Sequence, residues 1–439
     1  MSVAEFDFLG SLLASEDVAA AGHDGWLKTR RASALERASE LSVPTTRDED
    51  WRFTDLSVLY RQKLGAAQTS GTVDPAVLKT LLFPEAALRM VFVDGHFDPA
   101  ASSIAGGGGI HAGSLRHVLE DDSWKGARDA IESNLANIAA FEHDVFAAAN
   151  TARLHDAAIV HVADSQDVAA PIQVINVTTG REISTTPRLL VLAEKNSRCC
   201  IVEDHVAIGG AAYFSNSVCE IAIAPNAEVQ HIKLQREADT AFHIGNTSVL
   251  MQADSRYRNW SVSIGGRISR HNLNVSQKGT GIDCRMHGLA MITGRQLADT
   301  HSFVDHAFPH GTSEQIHKII AGGTSHAVFN GKIVVREGAQ QTNSSQQNRN
   351  LLLSPRATVD TKPQLEIFAD DVKCAHGATV GQMDADEVFY LMSRGLSETA
   401  ARNLLTYAFA KEVVEHIPVA SLVSVLESHI LEKTRGKEA

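Results

Sequence analysis

The chain has 439 residues, of which 44% are hydrophobic, and its formal net charge at pH 7 is −12. This length predicts about three domains, and the hydrophobic fraction is large enough to build a core, which excludes a wholly disordered chain. The negative charge argues against nonspecific binding to nucleic acid or to anionic membranes unless the chain has a local basic patch. The longest basic run is only KTRR, at residues 28–31.

No targeting segment is recognisable in the sequence. Its first residues, MSVAEFDFLG, include two acids and no base, unlike a secretory signal or a transit peptide. No apolar run approaches the ~18 residues that would span a bilayer. The five cysteines are irregularly spaced, which indicates reduced thiols. We therefore predict a cytoplasmic protein without a membrane partner, and the stroma of a plastid is the alternative compartment.

Residues 1–156 are predicted to form a helical and mixed N-terminal region. The helical spacing of apolar residues ends at Pro44, and Trp51 and Phe53 are expected to pack back onto the helices. The segment LRMVFVDGHFD, residues 88–98, alternates and then turns at its DG pair. This pattern predicts two strands that are joined by a tight turn.

Residues 157–383 are predicted to form a parallel β-helix. Short alternating runs such as IVHVAD, RLLVLAE and CEIAIAP replace the helical periodicity. Similar polar turns begin near Ala193, Ala224 and Ala253, at spacings of 31 and 29 residues. A near-regular period in a long all-β sequence indicates stacked coils, in which QTNSSQQNRN at residues 341–350 would supply stacked Asn and Gln side chains. A large sandwich or barrel is the alternative.

Residues 384–439 are predicted to form a C-terminal helical domain. Gly395 is the expected C′ residue of one helix, and Ser397 is the expected N-cap of the next. An apolar stripe in that second helix predicts its buried face: Ala401, Leu404, Leu405, Ala408 and Phe409. These helices either cap the solenoid or form a docking surface.

The acidic residues provide no clear catalytic pair. Asp299 and Asp305 lie six positions apart, and the neighbours Asp370 and Asp371 would point to opposite faces of a strand. We interpret all four as solvated turn residues. The chain also lacks the GxSxG, HExxH and GxxxxGK[ST] motifs, so we expect it to bind no nucleotide.

Five histidines occur within a short stretch that begins at THSFVDH. Their spacings are 5, 4, 7 and 9, so no pair has the i, i+2 separation that places two side chains on one face of a strand. We interpret the group as a scattered polar face rather than a metal site. Its members are His301, His306, His310, His317 and His326.

Cys374 and His376 form the pair with the clearest chemical potential. In an extended segment, residues i and i+2 point to the same side, with Cα atoms ~6.5–7 Å apart, so the thiolate and the imidazole could contact one metal ion or cluster. Zinc and iron–sulfur clusters usually require four protein ligands, however, and the other cysteines form no CxxC pair. The residues alone leave two alternatives: a structural pair, or a site that is shared with another polypeptide.

The segments KPQLEIFADDVKCAHGATVG, residues 362–381, and FYLMSRG, residues 389–395, are long and specific. They resemble the SufB/SufD family of the SUF iron–sulfur cluster assembly machinery, and KCAHGAT is similar to the SufD form of this region. Weaker similarity extends over most of the chain and includes DEDWRFTDL near residue 50 and FAAANTA near residue 146.

This resemblance implies a mainly β protein in which a right-handed parallel β-helix lies between N-terminal and C-terminal helical regions. It implies a scaffold subunit that is not an enzyme and that meets a SufB-like partner through the β-helix. A transient iron–sulfur cluster would be shared at that interface. His376 matches the histidine that the family places there, and Cys374 matches its neighbouring cysteine.

The resemblance also implies a second partner, a SufC-like ATPase that binds the nucleotide and docks on residues 384–418. Arg394, Gly395 and Glu398 are the candidate docking residues. A homodimer through the same β-helix edge is a further possibility. The rival hypothesis is a carbohydrate-active β-helix enzyme, which would need converging acidic residues and would act without partners.

Overall fold

The computed structural model describes residues 2–13, 25–67, 69–104, 109–180 and 182–434. The sequence has a run of four glycines at residues 106–109, which predicts a flexible loop, and the first three of them lie outside the described residues. The helices are, in chain order, α1 (Val3–Leu13), α2 (Gly25–Glu40), α3 (Ser57–Tyr60), α4 (Pro75–Leu81), α5 (Leu115–Glu120), α6 (Arg128–Asn134), α7 (Val145–Ala152), α8 (Ala385–Ser393), α9 (Glu398–Val414) and α10 (Ala420–Thr434). No helix in the described ranges is both long enough and apolar enough to cross a bilayer.

Strands account for more residues of the described chain than helices do. The strands are β1 (Gly65–Ala66), β2 (Leu88–Val93), β3 (His96–Phe97), β4 (Ile110–Ser114), β5 (Ala158–Val162), β6 (Ile172–Thr178), β7 (Ile183–Thr185), β8 (Arg188–Ala193), β9 (Arg198–Ala207), β10 (Phe214–Ile223), β11 (Glu228–Arg236), β12 (Phe242–Met251), β13 (Arg256–Ser263), β14 (Ile268–Gln277), β15 (Asp283–Ile292), β16 (Leu297–His306), β17 (Thr312–Ala321), β18 (His326–Val335), β19 (Asn343–Leu352), β20 (Thr358–Ile367) and β21 (Lys373–Gln382).

These strands build two facing sheets of a parallel β-helix, which confirms the predicted fold. The first sheet runs through the even-numbered strands from β8 to β20, and the second runs through the odd-numbered strands from β9 to β21. Each strand pairs in parallel with the strand one coil away, for example β10 with β12 and β11 with β13. This continuous parallel pairing is that of a solenoid and excludes an antiparallel sandwich.

The weak sequence period corresponds to stacked turns. The backbone N–H of Ala224 donates to the carbonyl of Ala193 at 2.9 Å, and that of Asn226 donates to the carbonyl of Ala253 at 3.0 Å. Asn196 and Asn226 both adopt left-handed backbone angles, with φ of 60° and 59°, which asparagine tolerates better than most residues. The small polar residues of each turn are therefore a requirement of the coil geometry.

The predicted ladder of amide side chains lies inside the β-helix. Gln346 Nε2 donates to Gln315 Oε1 at 2.9 Å, across one coil. Asn348 Nδ2 donates to the backbone carbonyl of His317 at 3.1 Å. Part of the polar lumen is thus satisfied by hydrogen bonds between coils, while another part of the lumen is filled by aliphatic side chains.

The C-terminal helices pack on the outer face of the second sheet, but through only part of the predicted stripe: Ala401 is buried, and Phe409 packs against the buried cluster. The buried residues of α9 are Ala401, Thr406, Ala410, Val413 and Val414. Leu404 is 45% exposed and Ala408 is also exposed, so this part of the prediction is wrong. The reason is that α9 carries apolar residues on two faces, and the spacing alone does not tell which face meets the sheet.

The N-terminal region is tied to the outer face of the first sheet. The guanidinium of Arg270 lies 3.7 Å from the ring centroid of Trp51, which is half-buried. Phe53 is exposed, so only the first of the two aromatic residues packs inwards. Asp94 and Gly95 form the predicted turn between β2 and β3. Strand β4 joins the first large sheet and β2 joins the second. The division of the chain into three domains stays a prediction.

Candidate functional site at the open end of the β-helix

The last coil of the β-helix leaves the edges of both sheets free. Strand β21 pairs with β19 on one side only, and β20 pairs in the same way with β18. Nearly every residue of β21 is exposed to solvent. Its unpaired backbone N–H and C=O groups form a template for another strand, because an edge strand satisfies only half of its hydrogen bonds within the chain.

Cys374 and His376 lie at the beginning of this edge strand. They are paired in register with Ser344 and Gln346 of β19, both of which are buried. The i, i+2 spacing places the two side chains on the same face of β21, as the sequence predicts. His376 is exposed, whereas Cys374 is half-buried.

Cys374 also belongs to the packing of the last coil. It contacts the apolar core of the lumen together with Leu365 and Val372. Burial raises the pKa of its thiol, so the free side chain is protonated at neutral pH. A soft metal ion would have to displace that proton before the sulfur could act as a ligand.

The pair has no third ligand in the described ranges of this chain. No further Cys, His, Asp or Glu side chain of those ranges joins Cys374 and His376 in a group of three that could hold a metal ion. A thiol and an imidazole are too few ligands for an ordinary zinc or iron–sulfur site, so any further ligands would have to come from a molecule that covers the edge.

Apolar side chains surround this edge. Phe368 is 63% exposed and Val380 is 46% exposed, and Ile367 is also open to solvent. The first sheet differs from the second at this end, because β20 contains Pro363, which has no backbone N–H to donate. The free edge of β21 lacks such a residue and is thus the better surface for strand pairing.

A second apolar surface lies on α8 and the beginning of α9. Phe389 is 71% exposed, and Tyr390, Met392 and Leu404 are also exposed. Phe389 and Met392 border a cavity of about 490 Å³ between α8, α9 and the end of β19, to which Pro355 and Arg402 contribute. Exposed aromatic and sulfur-containing side chains around a groove are typical of protein-binding surfaces.

The candidate docking residues surround the turn between α8 and α9. The guanidinium of Arg394 lies 5.2 Å from the ring centroid of Tyr390. Gly395 has a φ of 97°, as expected for a C′ residue, and Ser397 accepts a hydrogen bond from the N–H of Ala400 as the N-cap of α9. Glu398 is exposed, so the whole turn is accessible to a partner.

The position of Asp299 contradicts its interpretation as a solvated turn residue. Asp299 lies on β16 with its side chain buried, not in a solvated turn, and it accepts hydrogen bonds from Arg270 at 2.7 Å and Thr54 at 2.6 Å. Burial alone would raise the pKa of this carboxyl, but Arg270 and His301 hold it well below its usual range. The alternation of β16 places Asp299 opposite the N-terminal region, which the sequence spacing did not reveal.

The five histidines between residues 301 and 326 do not converge. His306 and His317 are buried in the lumen, whereas His301 lies on the outer face beside Asp299. His326 pairs with Asp360 at 2.7 Å. The histidines are scattered, as predicted, but His306 and His317 are buried in the lumen and do not belong to a polar face.

A group that the sequence analysis missed lies inside the β-helix. Glu203, Cys219 and His231 bring their ligand atoms to within 4.8 Å of one another. They belong to three different strands, so no local spacing motif connects them. Only the pairing register of β9 with β11 and the closure of β10 across the lumen bring them together.

Two family models match consecutive parts of the chain. The model described as SUF system FeS cluster assembly, SufBD core domain, matches residues 176–409. The model described as SufBD protein N-terminal region matches residues 12–174.

Relatives of the chain are found in bacteria and plants. An iron–sulfur cluster assembly SufBD family protein of Synechocystis sp. is 39% identical over 91% of this chain and 89% of its own length. The iron–sulfur cluster assembly protein SufD of Escherichia coli is 33% identical over 87% of each chain. The chloroplastic protein ABCI7 of Arabidopsis thaliana is 32% identical over 92% of this chain and 85% of its own length.

Proposed function

The chain belongs to the SufBD family of the SUF iron–sulfur cluster assembly system, and from this premise we propose that it is a non-catalytic scaffold subunit of the SufD type. In this proposal the chain contributes half of a cluster-building interface and a docking surface for an ATPase. The single observation that carries the proposal is the incomplete Cys374–His376 ligand pair on the free edge strand β21.

The proposed first partner is a SufB-like subunit that covers the open end of the β-helix. Strand pairing along β21 would satisfy its free backbone groups, and burial of Phe368 and Val380 would add an apolar contribution. A second β-helix with a similar edge fits this surface, because two edges of the same kind pair by the hydrogen bonds that already join the coils. A homodimer would use the same edge.

The proposed cluster site is shared between the two subunits. His376 is exposed and supplies an imidazole, and Cys374 supplies a thiolate once a metal has displaced its proton. Imidazole and thiolate are suitable ligands for iron–sulfur chemistry. A cluster that is held by ligands from two subunits can be released, since separation of the subunits removes half of its ligands.

The proposed second partner is a SufC-like ATPase on the surface formed by α8 and the start of α9. Phe389 and Met392 provide the apolar part of this surface, and Arg394 and Glu398 flank it with opposite charges. The sequence has no GxxxxGK[ST] motif, which fits a chain whose partner binds the nucleotide. The bacterial relatives favour a cytoplasmic location, and the chloroplastic relative keeps the plastid stroma as the alternative.

The site is tested by replacing His376 in the purified multi-subunit complex. We expect His376→Ala to leave assembly of the complex intact, because the side chain is exposed, and to reduce the yield of reconstituted iron–sulfur cluster about tenfold or more, as for removal of a metal ligand. Cluster formation is measured by visible absorption and by iron and sulfide analysis. His143→Ala is the matched control, since His143 is also exposed but lies in the N-terminal region.

A normal rate of cluster formation in the His376→Ala complex would refute the site. The rival hypothesis of a carbohydrate-active enzyme is tested in the same preparation by mass spectrometry of the native assembly. An ATPase and a second β-helix subunit in that assembly support the scaffold, whereas a lone chain with glycosidase activity supports the enzyme.

A further inference from the structure

The lumen contains a group of side chains with the chemistry of a metal site, several coils away from β21. Glu203 lies on β9, Cys219 on β10 and His231 on β11, and all three are buried. Their ligand atoms all lie within 4.8 Å of one another. A carboxylate, a thiol and an imidazole at this separation can all reach one ion of the size of zinc or ferrous iron.

The two carboxylate oxygens of Glu203 contact different partners. Oε1 accepts a hydrogen bond from Lys233 Nζ at 2.6 Å, whereas Oε2 lies 3.1 Å from His231 Nε2. Lys233 therefore occupies only one side of the carboxylate, and the other side faces the imidazole. His231 Nδ1 lies 3.0 Å from the hydroxyl of Tyr257, which orients the ring as an outer partner orients a metal-ligating histidine.

The charges of the neighbourhood favour an added cation. Glu203 Oε1 lies 2.6 Å from Lys233 Nζ, and Glu237 lies next to this group through His243, whose Nδ1 is 2.7 Å from the Glu237 carboxylate. With the histidines neutral, two carboxylates thus stand against the single ammonium group of Lys233. A divalent ion that releases the thiol proton of Cys219 adds one positive charge, which balances the excess carboxylate.

We propose that Glu203, Cys219 and His231 bind one thiophilic divalent cation, zinc or ferrous iron, inside the β-helix. Sulfur and imidazole ligands select these ions over magnesium and calcium. Three protein ligands leave a fourth position open, as in zinc sites that exchange a ligand. This site is independent of the interface proposed for β21, because it uses residues of this chain alone.

The site is tested on the full-length chain, produced in cultures supplemented with zinc or with iron and purified with and without oxygen. Because the ligands are buried, the ion is expected to enter during folding, so the chain is also refolded from denaturant with cobalt(II) as a spectroscopic probe. We expect one ion per chain and a sulfur-to-cobalt charge-transfer band in the near ultraviolet. The two culture arms identify which ion the site prefers.

Cys219→Ser is expected to abolish both the bound ion and the charge-transfer band, whereas Cys284→Ser, the matched control at another buried thiol, is expected to retain both. Circular dichroism reports whether each variant folds. If Cys219→Ser does not fold, Cys374→Ser decides the question, because it removes the other proposed metal-binding thiol and is expected to retain the ion and the band. A wild-type chain without a bound ion, or a cobalt spectrum without the thiolate band, would overturn the proposal and leave a purely structural hydrogen-bond network.

Discussion

At the scale of single residues, buried charges join distant parts of the sequence. Arg188 Nη2 lies 2.8 Å from Glu220 Oε2, and both side chains are fully buried. Glu220 also accepts hydrogen bonds from the backbone N–H groups of Ala136 and Ala139. Removing one member of such a group leaves the other charge buried and unpaired, which costs far more than the pair itself contributes.

The Arg270–Asp299 pair allows a matched test of this difference. We expect Arg270→Ala to lower the free energy of unfolding by about 3–5 kcal/mol, because it leaves the buried Asp299 carboxylate without its main partner. Lys332→Ala removes a partly exposed pair with Glu366 on the same sheet, and we expect a loss below about 1 kcal/mol. Urea unfolding measures both values, and equal losses in the two variants would contradict the assignment.

At the scale of elements, α9 has two different halves. Its C-terminal half buries Ala410, Val413 and Val414 against the second sheet. Its N-terminal half leaves Leu404 exposed, and the aromatic residues Phe389 and Tyr390 of α8 are exposed as well. The same helix can therefore be anchored by one end and offer the other to a partner, which is the arrangement that a docking element requires.

This division predicts the effect of mutations in the proposed docking surface. We expect the double charge reversal Arg394→Glu with Glu398→Arg to reduce co-purification of the ATPase several-fold, while the thermal midpoint of the chain alone stays unchanged because both side chains are exposed. Phe389→Ser tests the apolar part in the same way. Lys411→Glu, an exposed position in the anchored half of α9, is the control, and full recovery of the ATPase with the double variant would exclude this surface.

At the scale of the whole molecule, the β-helix encloses titratable groups that the sequence presents as ordinary polar residues. His306 and His317 are buried in the lumen, and burial lowers the pKa of each to about 4. Both are therefore neutral in the folded chain at neutral pH. The unfolded chain exposes them, and there their pKa returns to about 6.5.

Stability should consequently fall as the pH falls from about 6.5 towards about 4, because the unfolded state binds more protons in this range. We expect a loss on the order of 2 kcal/mol per buried histidine at about pH 5, relative to about pH 7. Urea unfolding at the two pH values measures the loss. His317→Gln should make it smaller, and an equal free energy of unfolding at both pH values would show that these histidines are not buried as neutral groups.

Local patterns in the sequence were sufficient to predict much of the fold of this protein. Alternation and the spacing of polar turns predicted the β-helix, since each coil repeats the same backbone requirements. The pair Cys374 and His376 and its shared face followed from the i, i+2 geometry of a strand. Gly395 and Ser397 marked the turn between α8 and α9 through their own backbone preferences.

The tertiary structure alone decided which side of each strand or helix faces its neighbours. It placed Asp299 in a buried ion pair, turned Leu404 outwards and brought Glu203, Cys219 and His231 together in the lumen. The physical reason is that periodicity specifies a face within one strand or helix, whereas the contacts of that face depend on register across coils that are 26 to 32 residues apart. The sequence by itself thus determined the repeating coil and the shared face of Cys374 and His376 at its end, and the stacking of the coils determined which side chains meet.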